Sequence, residues 1–335
     1  MKLRFGLIGV GRMGKVYAHH LTSTVQDVEL VAIADPAPGA AAEAAMRWGG
    51  VPLTDYRDLL KREDIQAVVI ATPTHTHVEV VKAAAAAGKQ IFCEKPLSLT
   101  LEGCDDAIQA VEAAGVMLQI GFNRRFDPAH VAAMEKIKAG VIGKPVMFRS
   151  SGRDPKRTSL EFARRESSGG MILDMGIHEF DTARWMMGSD VVRVSTEGGC
   201  LVYPELKSVG DIDNAVINLR YENGAIGQID LTRNAVYGHD VRTEIIGSEG
   251  ALYIAKLQYT DLLVMKPNNI SHDTVPYFME RFAEAYSAEL KDFVACLREG
   301  REPSATGKDA RAATAIGIAA TQSLDEGVPV EVNRS

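Results

Sequence analysis

Short apolar runs recur along the first third of the chain, at Phe5–Val10, Val28–Ala34, Ala67–Ala71, Ile91–Cys93 and Met117–Gly121. Runs of that length, bounded by polar or turn residues, read as strands buried in a sheet. Between them lie longer stretches with helix-forming composition, such as Val78–Ala87 and Leu101–Ala114. Strands that alternate with helices predict a parallel, doubly wound sheet. The pattern changes after Arg125. A helix over Pro128–Ala139 leads to an extended run, Val146–Ser151, then a polar loop, Gly152–Ser168, and a further helix after Gly169-Gly170. Residues 191–266 read as antiparallel. Ala215–Tyr221 and Ala225–Leu231 flank Glu222-Asn223-Gly224, and Asn-Gly is a strong hairpin signal. Val241–Ile246 and Ala251–Ile254 supply further strands, and helices at Glu280–Arg298 and Lys308–Glu326 close the chain.

The first apolar run ends in Gly9-Val10-Gly11-Arg12-Met13-Gly14 and passes into a helical stretch. Gly9 permits a tight turn, Gly11 lets backbone approach a pyrophosphate, and Gly14 lets the helix pack on the strand. The helix N-terminus then offers free N–H groups to phosphate. The second run ends in Asp35, placed to accept hydrogen bonds from a ribose diol. Pro36-Ala37-Pro38 follow, with no cation to neutralise a 2′-phosphate, so NAD is expected rather than NADP. The expected fold class is therefore α/β. A Rossmann doubly wound parallel sheet takes residues 1–122, and an α+β domain with an open, mainly antiparallel sheet takes residues 123–335.

The 335 residues are 46% apolar and 24% charged, ordinary for a globular protein of two domains. A net charge of −7 argues against a nucleic-acid partner. No apolar run is long enough to span a bilayer, and the first strand begins too early to leave room for a signal peptide. Cys93, Cys104, Cys200 and Cys296 form no CxxC pair and read as thiols in a reducing cytoplasm.

Three clusters could carry chemistry. Glu94-Lys95-Pro96 follows a strand end, the side of an open α/β sheet where ligands bind. Asp174, His178 and Asp181 fall at i, i+4 and i+7 of one helix, on one face. A carboxylate four residues from a histidine can orient its ring. Thr72-Pro73-Thr74-His75-Thr76-His77 follows another strand end, with Thr74 or Thr76 available as a helix cap. No metal is expected, since no third His or Cys stands close in sequence.

These motifs resemble the Gfo/Idh/MocA oxidoreductase family over essentially the whole chain. The resemblance rests on Gly9–Gly14, Asp35, Ala71-Thr72-Pro73, Glu94-Lys95-Pro96 and the Asp174/His178 helix. Within the family the chain is most similar to inositol dehydrogenases. That likeness rests on Gly121–Asp127, Arg153-Asp154-Pro155, Asp174–His178 with Asp181, and Tyr237–Asp240. The resemblance implies that Lys95 binds the reacting hydroxyl, that His178 is the general base, and that Asp174 positions substrate and histidine. It implies that Gly9, Gly11, Arg12, Met13, Asp35, Ala71, Thr72, His77, Glu94, Lys95 and Asn123 bind NAD. Arg153, Asp154, Asp181, Tyr237 and His239 are then expected to grip the remaining hydroxyls. Gly152 and His239 depart from one branch of the inositol enzymes, which carries a histidine and a tyrosine there. The implied reaction is oxidation of a cyclitol hydroxyl, myo- or scyllo-inositol, with hydride passing to NAD. A pyranose dehydrogenase and a non-catalytic NAD-binding regulator are the competing readings. A homotetramer is implied, and an apolar open face of the second sheet is the surface expected to be covered by a partner copy.

Overall fold

A computed structural model describes residues 2–334. The chain divides into two compact units, the first built from residues up to Phe126 together with Glu284–Thr314, the second from Asp127–Ala283 and the residues from Ala315 on.

The first unit holds six strands: β1 (Leu3–Ile8), β2 (Val28–Ala34), β3 (Val51–Leu53), β4 (Ala67–Ile70), β5 (Gln90–Cys93) and β6 (Leu118–Ile120). All pair in parallel, in the order β3-β2-β1-β4-β5-β6. This is the Rossmann order. The chain builds outward from β1 on one side, then crosses to build outward on the other. The crevice at that reversal lies beyond the carboxyl ends of β1 and β4. The glycine turn leaves β1, the Thr72 segment leaves β4 and Glu94-Lys95 leaves β5, all from that end. The edge strand β3 is not among the expected strands. Its three residues, Val51-Pro52-Leu53, make no apolar run, and its proline suits an edge.

The core of this unit sets Phe5, Leu7, Ile33, Val69 and Phe92 against Leu290, Phe293 and Val294. The last three sit at helical spacing on the helix Ala283–Glu299. Phe293 meets Phe5 edge-on at 6.1 Å. Each such buried apolar side chain contributes about 1.5–3 kcal/mol. That burial is why residues 284–314 belong to the first unit, which a single boundary after residue 122 does not capture.

The second unit holds β7 (Pro145–Arg153), β8 (Val191–Gly199), β9 (Asn214–Tyr221), β10 (Ile226–Thr232), β11 (Asp240–Gly247), β12 (Ala251–Ala255), a small hairpin of β13 (Val264–Lys266) and β14 (Asn269–Ser271), and β15 (Val330–Glu331). The main sheet runs β12-β11-β7-β10-β9-β8-β15. Only β7 and β10 pair in parallel, so the sheet is mixed and mainly antiparallel. The Asn223-Gly224 turn joins β9 to β10 as expected, with Gly224 at φ +88°. The helix Gly170–Met187 packs on β7 and β10. Gly176 allows the close approach, since a Cβ there would lie 3.1 Å from Leu231 and 2.9 Å from the Phe180 ring.

Strand alternation puts Phe148, Ser150 and Gly152 under that helix and turns Arg149, Ser151 and Arg153 to the other face. The outward row continues with Gln228 and Asp230 on β10, Asn218 and Arg220 on β9, and Arg242 and Glu244 on β11. This face carries ion pairs, as between Arg149 and Glu244 at 3.4 Å. It also exposes Val216 on β9, Ile226 on β10 and Tyr253 on β12, so it is mixed rather than uniformly apolar. The sequence alternates because one side of each strand meets the core. Exposed apolar side chains also gather around the small hairpin, at Leu262, Leu263, Val264, Met265 and Ile270.

Candidate active site

In the first unit, the glycines do different work. Gly9 takes φ +92°, and a Cβ there would stand 2.6 Å from the Ala71 carbonyl oxygen. A Cβ on Gly14 would stand 2.1 Å from the Gly9 carbonyl oxygen. Both are required by the fold itself. Gly11 is exposed and a Cβ there would meet nothing within 4 Å, so its smallness keeps space open above the helix N-terminus. Arg12 is exposed and Met13 half-buried, in the first turn of the helix Arg12–Ser23.

Asp35 follows β2 and ties the glycine turn in place. Its Oδ2 accepts the Val10 N–H at 2.8 Å, and its Oδ1 accepts the Ala37 N–H at 2.9 Å. A carboxylate has about four lone-pair positions, so two remain for a ribose diol. An open glycine cradle at a helix N-terminus, beside a carboxylate with spare acceptor capacity, fits a dinucleotide such as NAD.

Ala71 and Thr72 line the same strand-end region, the Ala71 N–H donating to the Ile8 carbonyl at 2.8 Å. Thr74–Thr76 form a single 3-10 turn, and neither Thr74 nor Thr76 caps the helix His77–Ala86 through its side chain. Thr76 Oγ1 instead donates to Thr72 Oγ1 at 2.8 Å. His77 is 1% exposed, with Nδ1 2.8 Å from the Pro96 carbonyl oxygen and Nε2 2.9 Å from the Thr72 carbonyl oxygen. Both ring nitrogens are therefore engaged by the protein. The residue expected to touch cofactor is a strut between two loops, and burial holds its imidazole below the usual range. Asn123 is buried in the 3-10 turn Asn123–Phe126, its side chain bonded to Tyr286.

Glu94 is buried at the end of β5, and its Oε2 accepts the Lys95 N–H at 2.9 Å. Lys95 is half-buried, followed by a cis peptide to Pro96. Cys93, beside them, is fully buried, and burial pushes its thiol well above the usual range, so it is an inert core residue.

In the second unit, the helix Gly170–Met187 carries Asp174, His178 and Asp181 on one face, as the spacing requires. Asp174 and His178 are half-buried and Asp181 is 1% exposed. The sequence reading missed what holds Asp174. Arg233, just past β10, is 1% exposed, with Nη2 3.2 Å from Asp174 Oδ2 and Nη1 2.9 Å from Asp211 Oδ2. Asp211 Oδ1 accepts the Met171 N–H at 2.7 Å and so closes the first turn of the same helix. Asp213 carries the next turn of chain, accepting the Leu201 and Val202 N–H groups, each at 2.8 Å. Asp211-Ile212-Asp213-Asn214 is a polar stretch at the entry to β9, but its partners are far away in sequence.

The remaining expected substrate residues form two groups. Arg153 Nε lies 2.6 Å from Asp230 Oδ1, its Nη1 3.7 Å from Asp240, and Tyr237 Oη donates to Asp240 at 2.8 Å. This group sits on the outward face of the sheet, opposite the helix that carries His178. Asp154 pairs with His239 at 3.1 Å, and the His239 ring is enclosed by Tyr277, Phe278 and Phe282. The structure thus joins Arg153 with Tyr237, and Asp154 with His239, rather than uniting all five. Gly152 lies under the helix, where a Cβ would stand 3.0 Å from Leu231 and 3.2 Å from Glu179 Oε1, so a histidine does not fit there without movement. No cluster of three or more His, Cys, Asp or Glu placed to hold a metal ion occurs among the described residues.

A Rossmann unit with a dinucleotide cradle, together with a mixed-sheet unit, is the architecture of a two-domain dinucleotide-binding protein. Residues 3–122 match the NAD-binding Rossmann fold of the oxidoreductase family Gfo/Idh/MocA, and residues 134–332 match its C-terminal alpha/beta domain. The chain belongs to that family. It is 39% identical to a scyllo-inositol 2-dehydrogenase (NAD(+)) of Bacillus subtilis, across 99% of this chain and 97% of the relative. It is also 39% identical to a myo-inositol 2-dehydrogenase of Thermotoga maritima, across 97% of each. Among solved structures it is similar to a scyllo-inositol dehydrogenase from Lactobacillus casei with bound NAD(H) and scyllo-inositol, with a TM-score of 0.94, 30% identity and 99% coverage of both chains.

Proposed function

We propose that this protein oxidises a secondary hydroxyl of myo- or scyllo-inositol to the inosose ketone. The observation that carries the reading is the helix Gly170–Met187, which presents Asp174, His178 and Asp181 together while a buried arginine fixes Asp174 from behind. Bound NAD would supply the acceptor for the carbon-bound hydrogen, as hydride. The protein's share is to remove the hydroxyl proton and to stabilise the charge left on oxygen. An imidazole titrates near neutral pH, so His178 accepts the proton. The Lys95 ammonium favours the developing alkoxide. Asp174 orients the donor hydroxyl and the His178 ring, and Asp181 holds a further hydroxyl. Gly9, Gly11, Arg12, Met13, Asp35, Ala71, Thr72 and Glu94 hold the dinucleotide, with His77 and Asn123 acting through the loops they brace.

Arg153 with Tyr237, and Asp154 with His239, supply the polar groups that select ring orientation. Assembly as a homotetramer and a cytoplasmic location complete the reading. The relatives' substrates support the cyclitol, and four free cysteines suit a reducing compartment. Exposed apolar surface available for assembly lies on the open sheet face, at Val216, Ile226 and Tyr253, and at the hairpin around Met265.

The test is a panel of inositol isomers and pyranoses with NAD and with NADP, followed by reduced-cofactor absorbance. Turnover of an inositol with NAD is the expected result. A higher kcat/KM for a pyranose would replace the cyclitol with a sugar. Preference for NADP would overturn the reading of Asp35, and no turnover at all would favour a binding protein. Light scattering at micromolar concentration tests the assembly.

A further inference from the structure

A buried carboxyl, Glu289, is linked through Tyr17 to the Glu94-Lys95 segment, and the reaction as described does not use it. Glu289, on the helix Ala283–Glu299, is 0% exposed. Its Oε1 lies 2.9 Å from Tyr17 Oη, while its Oε2, also buried, has no hydrogen-bond partner. Tyr17 Oη is at the same time 2.5 Å from Glu94 Oε1. The phenol has one proton, and these two oxygen–oxygen contacts need two. The second proton belongs to a carboxyl group. Glu94 accepts on both oxygens, from Tyr17 at Oε1 and from the Lys95 N–H at Oε2, which is the pattern of a carboxylate. Glu289 is fully buried and its Oε2 meets no protein donor, and an ionised carboxylate would be costly there.

We infer that Glu289 is a neutral carboxylic acid in the folded protein, and that the chain Glu289–Tyr17–Glu94 positions the Glu94-Lys95 segment for hydride transfer. Glu289 donates to Tyr17 Oη, Tyr17 donates to Glu94 Oε1, and Glu94 Oε2 holds the Lys95 amide. Tyr17 belongs to the helix Arg12–Ser23, whose N-terminus follows the glycine turn. The chain therefore fixes the lysine segment to the helix that meets the dinucleotide phosphates. The Tyr286 phenol is buried within reach of the charges of Glu94, Glu289 and Arg124 and is hydrogen-bonded with Asn123. Burial, and then the like charge of Glu94, push Glu289 well above the usual carboxyl range. Burial and the two carboxyls likewise push the Tyr17 phenol up.

The positioning role rests on the proposed dehydrogenase reading, but the protonation does not, and the experiment separates them. Infrared spectra of the protein without substrate at pH 8 should show a protonated carboxyl C=O band that Glu289→Gln removes. A spectrum without that band, or one unchanged in the variant, overturns the neutral acid whatever the enzyme's substrate. Glutamine keeps a donor toward Tyr17, so Glu289→Gln should hold kcat within about threefold of wild type. Its Tm relative to wild type should rise as pH rises above the ordinary carboxyl value near 4.5, because there the unfolded wild-type chain ionises Glu289 while the folded one keeps the proton. Tyr17→Phe breaks the chain and should lower kcat about tenfold or more with the NAD Kd little changed, the signature of a displaced reacting group. A loss of Tm alone, with kcat intact on whichever polyol the panel identifies, would overturn the positioning role.

Discussion

The two units reach their chemistry by opposite means. The dinucleotide side of the first unit is made of backbone: Gly9 and Gly14 where no Cβ fits, Gly11 where space stays open, and Asp35 bonded to two main-chain N–H groups. The proposed polyol side of the second unit is made of side chains brought from distant strands, with Arg233 between Asp174 and Asp211 and Arg153 between Asp230 and Asp240. A backbone site is local and tolerates few residue types, so it leaves a motif. A side-chain site is assembled by the sheet, and its long-range pairings, such as Arg233 with Asp174 and Asp211, leave none.

The sharpest way to break this contrast is His178→Ala. If the second unit carries the proton transfer, kcat should fall by about 10²–10⁴. The NAD Kd should move less than twofold, since the cofactor groups lie in the first unit. Activity within threefold of wild type would remove His178 from the chemistry. Arg233→Met comes next. It leaves Asp174 and Asp211 facing each other without the buried cation, and breaking a buried pair in this way costs about 3–5 kcal/mol. Burial already pushes Asp211 above the usual carboxyl range even with Arg233 present. The expected readout is a large fall in Tm, together with a higher KM for polyol in whatever remains folded. Arg233→Lys should recover part of the stability and less of the KM, since one ammonium cannot reach both carboxylates as a fork does.

The legibility of the two halves follows from the same contrast. The parallel sheet, its glycine turn and Asp35 were readable because each is a local pattern with one physical meaning. The Asn223-Gly224 hairpin and the spacing of Asp174, His178 and Asp181 were readable for that reason too. The role of Arg233 was not, because nothing near it in sequence marks its partners at 174 and 211. The return of residues 284–314 was hidden because an apolar stripe says only that a helix is buried, not in which core. His77 was read as a cofactor contact from its place after a strand. Only the positions of the Pro96 and Thr72 carbonyls show both its nitrogens occupied. The expected apolar outer face is mixed, as strand alternation could have shown: Arg149, Ser151 and Arg153 alternate with Phe148, Ser150 and Gly152, while Val216 and Ile226 share the outward face with them.

A paired substitution within the first unit sharpens the claim that its glycines act in two ways. Gly14→Ala drives a Cβ into the Gly9 carbonyl at 2.1 Å, a backbone collision that forces the helix off the strand. Overpacking of that kind costs about 1–3 kcal/mol or more. Gly11→Val meets no atom, so its Tm should stay within a degree or two of wild type while NAD binding weakens at least tenfold, the branched side chain filling the cradle. If instead Gly11→Val binds NAD normally, the open space above the helix is not the phosphate site.

The smallest effect expected is a difference in how acid acts on the two units. In the first unit, burial depresses His77, although its two carbonyl partners oppose the shift. Below its ordinary value of about 6.5 the unfolded chain takes up a proton that the folded chain resists, so stability falls as pH drops from there. In the second unit, Asp127 accepts from Arg281 Nη1 at 2.8 Å and from His130 Nδ1 at 2.6 Å, all three buried. Burial works to raise its pKa, but those hydrogen bonds and charges outweigh it and hold the carboxyl well below the usual range. Its contribution is complete above the unfolded value near 4 and is lost only as pH falls beneath it. Between pH 4 and pH 3 the loss is about 1 kcal/mol, the linkage slope for one proton over that span. Hydrogen exchange read separately on peptides of β4–β5 and of the 128–138 helix, from pH 7 down to pH 3, resolves the two windows after correction for intrinsic rates. The first-unit peptides should loosen from about pH 6.5, and the second-unit peptides only below about pH 4. In Asp127→Asn the lower window should vanish while the upper one is kept. A second-unit profile unchanged by Asp127→Asn would mean that the Asp127–Arg281–His130 cluster does not anchor that helix, and that side-chain assembly carries less of the second unit than its buried ion pairs imply.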